Sequence, residues 1–240
     1  MRFDHAIFAI NNLDKAVQNF RQAGFTVIAG GEHASGTTHN ALVCLADGTY
    51  LELLAPTGKS PKDMDASDFS GLLREQEGFM GFALRTHDLD GVAKRLQQQG
   101  VNASNPKPGS RIREDGVQIE WRTVIVGDSL SPFMIQDVTD KKLRVPEDQA
   151  VITHENGARG IHSITMMCQN IDECVLFFRI LLNQEPVKRL DSTMFVLEDD
   201  IEVHLVTPDA YQGDKALMAH INAYGDVPFT MTLRLRNGYM

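Results

Sequence analysis

The chain has few cysteines, fewer basic than acidic residues and no long apolar run. Three cysteines in 240 residues, with no Cys-x-x-Cys pair, argue against a disulfide framework and against a thiolate zinc site. We therefore expect Cys44, Cys168 and Cys174 to be buried thiols in a reducing cytoplasm. The 23 Lys and Arg against 32 Asp and Glu give a net charge of -9, which argues against a nucleic-acid surface. No stretch approaches the roughly 18–20 apolar residues that span a membrane, and the first residues lack the apolar core of a secretory signal.

What the sequence does contain is an internal repeat. Residues 2–14 return as residues 160–172, and each copy is a strand-like run that carries one early histidine and ends in Asn-(Leu/Ile)-Asp. The two histidines are His5 and His162. A fainter copy begins at residue 81, and a single matching strand lies near the end of the chain. Self-similarity of this kind constrains the architecture before any local prediction is made.

Each unit has the pattern of one strand, one helix and three further strands. In unit one, apolar residues predict a strand over residues 3–10, and Leu13, Val17 and Phe20 recur at helical spacing before Gly24 ends the helix. Turn residues then separate three short strands at residues 25–29, 40–45 and 50–54. We therefore predict an α+β fold in which repeated βαβββ units form curved mixed sheets with helices on the convex side.

Changes in composition divide the chain. We predict a domain of two units over residues 1–140, which includes a polar linker at residues 56–68 and a short helix at 69–76. A charged linker at residues 141–159 leads to a third unit and a single strand of a truncated fourth, over residues 160–240. We expect that last strand, residues 229–235, to pair with the third unit's sheet and to cover its edge. The second half should then be mainly scaffold or a dimer surface, with ligand binding in the first half.

The first half resembles the vicinal oxygen chelate superfamily, which holds glyoxalase I, extradiol dioxygenases and bleomycin-resistance proteins. Within it, the chain is most similar to proteins with a glyoxalase-like domain. The similarity covers residues 1–140 and is carried by residues 3–6, 36–42, 48–56, 121–122 and 132–136. It implies one eight-stranded curved sheet with two helices on its convex side and a ligand on its concave face. It does not indicate a substrate.

The resemblance also implies metal ligands on the first and last strand of each unit. In unit one these positions are His5 and Glu52, and strand parity puts both on the concave face. In unit two the corresponding residues are Gly81 and Gln136. A divalent Fe, Zn, Mn or Ni ion on His5 and Glu52 would therefore have only the neutral amide of Gln136 as a third ligand, which is weak for these metals.

Other polar residues are candidates for ligand binding. His39 follows a Gly-Thr-Thr turn, so it either enters the groove or belongs to local turn chemistry. Arg85 has the strand parity of His5 and is either an anchor for a carboxylate or phosphate or an exposed charge at a strand end. Gln136 could bind ligand in place of metal. Trp121, the single tryptophan, is interpreted as core packing.

The second half offers another constellation. His162 matches His5, and counting back from Pro208 puts His204 at the position of Glu52, with Glu202 on the same strand face. Two histidines and one glutamate could form a facial triad for non-heme iron. The alternative is a decayed repeat whose polar residues are exposed because the fourth unit is missing.

Three functions remain compatible with the sequence. The first is a metal-assisted lyase, isomerase or dioxygenase, with Glu52 or a bound water as base. The second is a metal-free protein that binds and sequesters a small molecule. The third is a structural or regulatory module whose sheet forms a homodimer. We expect a small-molecule partner and neither nucleic acid nor membrane. Metal analysis of untagged protein would separate these functions best.

Overall fold

The structure is a computed structural model. It describes most of the chain, namely residues 1–60, 77–113, 115–127, 129–189, 193–211 and 214–240. The helix predicted at residues 69–76 and most of the linker predicted at 56–68 lie outside the described residues.

The first half forms an eight-stranded closed barrel with two helices on its outer side. The elements follow in chain order: β1 (Arg2–Ala9), α1 (Leu13–Gln22), β2 (Ile28–His33), β3 (Thr38–Cys44), β4 (Tyr50–Pro56), β5 (Gly78–Arg85), α2 (Leu89–Gln98), β6 (Lys107–Ile112), β7 (Gln118–Val126) and β8 (Ser129–Asp137). Around the barrel the strand order is β1-β4-β3-β2-β6-β7-β8-β5. The predicted α+β class and the βαβββ plan are confirmed.

The two units of the barrel are related through their first strands. β1 and β5 lie side by side and antiparallel, so units one and two share one sheet, as predicted. In each unit the first strand also pairs in parallel with the last, β1 with β4 and β5 with β8. The curved sheet closes on itself because β2 and β6 pair at two positions, Glu32 with Ile112 and His33 with Arg111.

The helices of the two units begin in the same way. The side chain of Asn12 accepts a hydrogen bond from the backbone N–H of Lys15, and that of Asp88 accepts one from Gly91. Such caps satisfy backbone donors that have no partner within the helix. Aligning the two helix starts superimposes Gly81 on His5, and the comparison of the two units below uses this alignment.

The segment predicted as a linker is packed against the barrel. It contains two short helices, α3 (Lys141–Arg144) and α4 (Gln149–Ile152). Val145 packs against Tyr50 on β4 and against buried residues of β3, and His154 fixes the far end of the segment. Its Nδ1 accepts from the backbone N–H of Thr26, and its Nε2 contacts the carbonyl oxygen of Cys44 at 3.0 Å. The predicted domain boundaries stay a prediction, but residues 141–154 belong to the packing of the barrel end.

The second half is an open six-stranded sheet. Its elements are β9 (Ala158–Met167), α5 (Ile171–Leu182), β10 (Val187–Lys188), β11 (Thr193–Val196), β12 (Glu202–Val206), a 3-10 turn (Pro208–Tyr211), α6 (Lys215–Tyr224), β13 (Val227–Leu235) and β14 (Gly238–Tyr239). The strand order is β10-β11-β12-β9-β13-β14. β13 runs antiparallel to β9, so the predicted pairing of the last long strand with the third unit is confirmed.

One large apolar core joins the halves, and a smaller one fills part of the barrel. The large core lies between the barrel's outer face, its helices and the second sheet; Phe3 stacks on Phe82 there with ring centres 5.6 Å apart. The inner group is separate and includes Ile7, Leu54 and Phe133. Strand alternation explains the division, because successive side chains of β1 point to opposite faces.

The prediction for the cysteines is wrong at two of three positions. Cys168 and Cys174 form a disulfide, and Cys44 is a buried free thiol. The pair forms because Cys168 follows β9 directly and Cys174 lies early in α5, which brings their Cα atoms to 6.2 Å, within the range of disulfides. Burial raises the pKa of the Cys44 thiol to about 12, so that thiol is unreactive. None of the described helices is long and apolar enough to cross a membrane.

Candidate ligand-binding site

The barrel contains a small, partly enclosed cavity of about 50 Å³. Its wall combines apolar side chains with an equally large group of polar and charged ones. The apolar part is formed mainly by Ile7, Leu42, Leu54, Trp121, Phe133 and Ile135. The titratable or hydrogen-bonding part includes His5, His33, Asn40, Glu52, Arg111 and Arg144.

His5 and Glu52 meet on the inner face of the barrel. Because β1 and β4 run in parallel with Ile7 opposite Glu52, the side chains of His5 and Glu52 converge between the two strands. Nε2 of His5 lies 3.3 Å from Oε2 of Glu52, and both residues are buried. The geometric expectation from strand parity is met here; the role of the pair is a separate question.

Asp4 lies on the other side of the His5 ring. A bulge in β1 between Phe3 and His5 interrupts the alternation of side chains, so Asp4 turns toward His5 although strict parity would separate them. Nδ1 of His5 lies 2.7 Å from Oδ1 of the fully buried Asp4. Burial alone would lower the pKa of His5, but the hydrogen bonds to Asp4 and Glu52 raise it. Both nitrogens of His5 thus face carboxylates, which favours the protonated form of the imidazole.

Glu52 is held as a carboxylate. Burial would raise the pKa of Glu52, but the contacts with His5 and Asn40 and the nearby His33 lower it to about 2. Nδ2 of Asn40 donates to Oε1 of Glu52 at 2.5 Å, and Nε2 of His33 lies 3.8 Å from the same oxygen. Burial lowers the pKa of His33, so this second histidine is neutral.

Arg144 closes one end of the barrel. Its guanidinium donates to both carboxylate oxygens of Asp4, at 2.8 and 3.0 Å, and to both oxygens of Asp137, at 2.7 and 3.1 Å. Burial would raise the pKa of Asp4, but Arg144 and His5 hold that pKa well below its usual range. Charges of alternating sign thus run from Asp137 through Arg144, Asp4 and His5 to Glu52.

Aromatic rings surround the polar end of the cavity. Tyr50 stacks on the His5 imidazole with ring centres 4.5 Å apart, and its hydroxyl accepts a hydrogen bond from Arg144. Phe133 meets His5 edge-on, and Trp121 meets His33 edge-on. Trp121 was interpreted as core packing, but it is half-buried and lines the cavity.

The other predicted ligand-binding residues lie outside the cavity wall. His39 occupies the alternate position to Asn40 on β3, so Asn40 enters the wall instead. Arg85 stands at the end of β5 with Nε 3.9 Å from Asp4. Gln136 accepts a hydrogen bond from Arg122 and donates one to the carbonyl oxygen of His87, on the outer side of β8. These three residues are not part of the cavity wall in the described structure, and a role for them in ligand binding stays a prediction.

Unit two carries no metal ligand at the positions equivalent to those of unit one. Ile7 pairs with Glu52 in unit one and Ala83 pairs with Phe133 in unit two, so Phe133, not Gln136, takes the place of Glu52. Gly81 takes the place of His5. Half of the ligand set that the resemblance implies is thus replaced by a glycine and an aromatic ring.

The residues of unit one do not compensate for this loss. Within the described chain, no group of three His, Cys, Asp or Glu ligand atoms within 4.8 Å of one another includes His5 or Glu52. In addition, both nitrogens of His5 face carboxylates, so His5 would bind an ion only if Nε2 exchanged its present contact with Glu52 for the ion. The side chains as arranged do not fit a divalent metal.

The second sheet does not assemble its predicted triad. His204 contacts Glu202 at 2.7 Å, but His162 stacks against Tyr239 with ring centres 4.5 Å apart. These residues are absent from the described groups of three converging ligands. By strand pairing, Ser163 rather than His162 is opposite Glu202. The alternative of a decayed repeat is the better account.

Comparison with known proteins agrees with this architecture. The family model for a glyoxalase-like domain matches residues 3–179. The chain belongs to the glyoxalase-like domain family. The match extends past residue 140, where the sequence similarity was expected to end, and includes β9 and most of α5. No curated protein matches the chain.

Solved structures support the fold of this glyoxalase-like protein. A hypothetical protein from Staphylococcus aureus is 21% identical, with a TM-score of 0.71 over 87% of this chain and 86% of that one. A fusion of a xylose isomerase-like TIM barrel with a 4-hydroxyphenylpyruvate dioxygenase is 14% identical, with a TM-score of 0.58 over 97% of this chain and 36% of that one. Identities this low show the fold alone.

Proposed function

We propose that this glyoxalase-like protein binds a small organic molecule inside its barrel and needs no metal to do so. The observation that carries the proposal is the cavity itself, whose wall combines aliphatic and aromatic side chains with convergent polar groups. Small-molecule sites in proteins have this composition. Tyr50, Trp121 and Phe133 offer ring faces and edges against which a planar ligand can pack.

The state of the charged groups favours binding over acid–base catalysis. An effective general base has a pKa near the working pH, whereas the pKa of Glu52 is about 2. His5 could act as an acid only by giving up a proton that two carboxylates stabilise. The contacts of Glu52 and His5 together hold the wall of the cavity in one geometry, which lowers the entropy cost of ligand binding.

A metal-dependent lyase, isomerase or dioxygenase is the second candidate. His5 and His33 both lie within 4 Å of the Glu52 carboxylate, and two histidines with one carboxylate are the donor set of many non-heme iron enzymes. In this candidate His5 and Glu52 hold Fe, Zn, Mn or Ni, and Glu52 or a bound water is the base. It requires that His5 lose its proton and that Asn40 release Glu52.

The fluorescence of Trp121 provides the test, because it is the only tryptophan and it lines the cavity. Untagged protein is analysed for metal, treated with a chelator and titrated with a panel of small aromatic and aliphatic compounds. We expect metal far below one equivalent and ligand affinities that the chelator does not change. Stoichiometric metal that is lost in His5→Ala and Glu52→Ala would favour the second candidate. No response to any compound would leave the proposal without support.

A pair of variants locates the binding. Ile135→Phe adds a ring inside the cavity and should weaken binding, whereas Val138→Phe adds the same ring on the surface of the neighbouring segment and should not. Circular dichroism checks that both variants are folded. Equal affinities in the two variants would place the ligand elsewhere.

The remaining expectations about partners stay predictions. A cytoplasmic location, a homodimer, and the absence of nucleic-acid and membrane partners were inferred from the sequence. The cysteine argument for a reducing compartment no longer applies to Cys168 and Cys174, since disulfides are rare in the cytosol. Sedimentation equilibrium tests the homodimer directly.

A further inference from the structure

Arg111 differs from the other charged residues of the cavity wall. His5 and Glu52 contact each other, and Arg144 contacts two aspartates. In the described part of the chain, no carboxylate oxygen lies within 4.0 Å of the Arg111 guanidinium, although Arg111 is 4% exposed. It is thus a buried cation in the wall that lacks a contacting counter-charge.

The hydrogen bonds of Arg111 go to the backbone. One guanidinium nitrogen donates to the carbonyl oxygen of Gly30, and the other donates to that of Arg144 at 3.1 Å. These carbonyls carry only partial charges, and a guanidinium has five N–H donors. A buried cation is costly unless an anion compensates it. The missing counter-charge can be supplied by whatever occupies the cavity.

We propose that Arg111 anchors the carboxylate of the ligand, so that the cavity takes a small aromatic or aliphatic carboxylic acid. This inference rests on the proposed function and names its ligand class. A planar guanidinium matches a carboxylate through two parallel hydrogen bonds. His33 pairs with Arg111 across β2 and β6, and Trp121 packs edge-on against His33. A ligand held by Arg111 therefore places its apolar part beside Trp121.

The charges of the wall agree with an anion. The side chains that line the cavity include three cations, His5, Arg111 and Arg144, and one anion, Glu52. The charge of Glu52 is matched by its contact with His5, and His33 is neutral because burial lowers its pKa. An anionic ligand would give the Arg111 guanidinium the contacting carboxylate that it lacks, whereas a cationic ligand would lie against a like charge.

The test compares ligands of the same shape and different charge. Benzoate and phenylacetate are titrated against benzamide and phenylacetamide, with benzylamine as the cation, using Trp121 fluorescence and calorimetry near neutral pH. We expect each carboxylate to bind at least about tenfold more tightly than its amide, since bonds between charged groups are about twice as strong as neutral ones. Amides that bind as tightly as the acids would overturn the inference, and tighter binding of benzylamine would assign the ligand to Glu52.

Variants assign the preference to one residue. Arg111→Gln should abolish the preference for acid over amide, and Arg111→Lys should restore part of it because the charge returns without the planar fork. Arg113→Gln removes a more exposed charge two residues further on and should keep the full preference. A preference that survives Arg111→Gln would refute the assignment. Should Arg111→Gln fail to fold, Arg111→Lys and the wild-type comparison still decide.

The two proposals fail in different ways. Binding of acids and amides with equal affinity would leave small-molecule binding intact and remove only the role of Arg111. Failure of every compound to bind would remove both.

Discussion

Arg144 and Asp4, which are 140 residues apart in the sequence, are joined by two hydrogen bonds at one end of the barrel. Both side chains are buried. Asp4 also contacts His5, and His5 contacts Glu52, so the residue that closes the barrel and the carboxylate in the cavity belong to one chain of alternating charges. The connecting segment after β8 therefore contributes both to the stability of the barrel and to the geometry of the site.

Loss of Arg144 should destabilise the protein strongly. Arg144→Met leaves the carboxylate of Asp4 buried without its main counter-charge, and we expect the free energy of unfolding to fall by about 3–5 kcal/mol. Urea unfolding followed by circular dichroism measures it. The matched control is Lys142→Met on the same short helix, whose side chain is exposed and whose loss should leave the free energy of unfolding nearly unchanged. Similar losses in both variants would contradict this account.

Glu52 should stabilise the fold at neutral pH and lose this effect in acid. Its pKa is about 2 in the folded protein against 4.5 ordinarily, so its contribution is complete above about pH 4.5 and disappears as the pH falls toward 2. The shift corresponds to roughly 3 kcal/mol at most. The stabilities of Glu52→Gln and wild type should therefore differ most near neutral pH and converge as the pH falls from about 4.5 toward 2. A difference that is constant with pH would show that ionisation of Glu52 is not its cause.

His5 and His33 should have opposite charge states at neutral pH. The pKa of His5 is raised by hydrogen bonds to two carboxylates, and that of His33 is lowered by burial. The ion pairs of His5 thus stabilise the fold below its ordinary pKa, and this stabilisation is lost as the pH rises through the raised value. Imidazole nitrogen shifts in NMR spectra should show both nitrogens of His5 protonated and one nitrogen of His33. Glu52→Gln should lower the pKa of His5. An unchanged pKa would show that Glu52 does not influence the protonation of His5.

Thiol counts should distinguish one free cysteine from three. Protein unfolded without reductant should show one reactive thiol, that of Cys44, and three after reduction. Cys44→Ser should then show none before reduction. Three reactive thiols in oxidised, unreduced protein would instead support the expectation from the sequence that all three cysteines are free thiols.

The repeat predicted the architecture, and the resemblance to the vicinal oxygen chelate superfamily, with strand parity in support, predicted the meeting of His5 and Glu52. The repeat and strand parity are local patterns, which the sequence displays directly. The closure of the barrel depends on only two pairs between β2 and β6, and no local pattern signals them. The Asp4 contact also escapes a parity argument, because a bulge shifts the strand by one residue.

The site residues that the sequence did not reveal are all positioned by contacts between distant parts of the chain. Arg144 lies in a polar segment without periodicity, and only its pairing with Asp4 and Asp137 explains its burial. The resemblance put Gln136 at the position equivalent to Glu52, whereas the pairing of β5 with β8 puts Phe133 there. For Arg111, an arginine on a short strand between polar residues, the sequence alone offered no signal of burial.

The final strand should be needed to complete the second sheet. β13 pairs with β9 along most of its length, and Leu233 is buried against the shared core. Deleting residues 226–240 should expose the edge of β9 and the apolar side chains beneath it, which lowers the melting temperature and causes aggregation. Light scattering and thermal melting measure these effects. A truncated protein as soluble and stable as the full chain would show that the strand is not needed to cover the edge of β9.

Point variants test the same strand without removing it. Leu233→Ala should lower the free energy of unfolding by about 2–4 kcal/mol through the cavity that it leaves. Thr230→Ala, on the exposed part of the same strand, should change it by less than about 0.5 kcal/mol. Neither variant should alter the response of Trp121 to ligand, because Trp121 lies inside the barrel and β13 pairs only in the second sheet. A ligand response that changes with Leu233→Ala, or a ligand bound at His162 and His204, would overturn the assignment of binding to the first half.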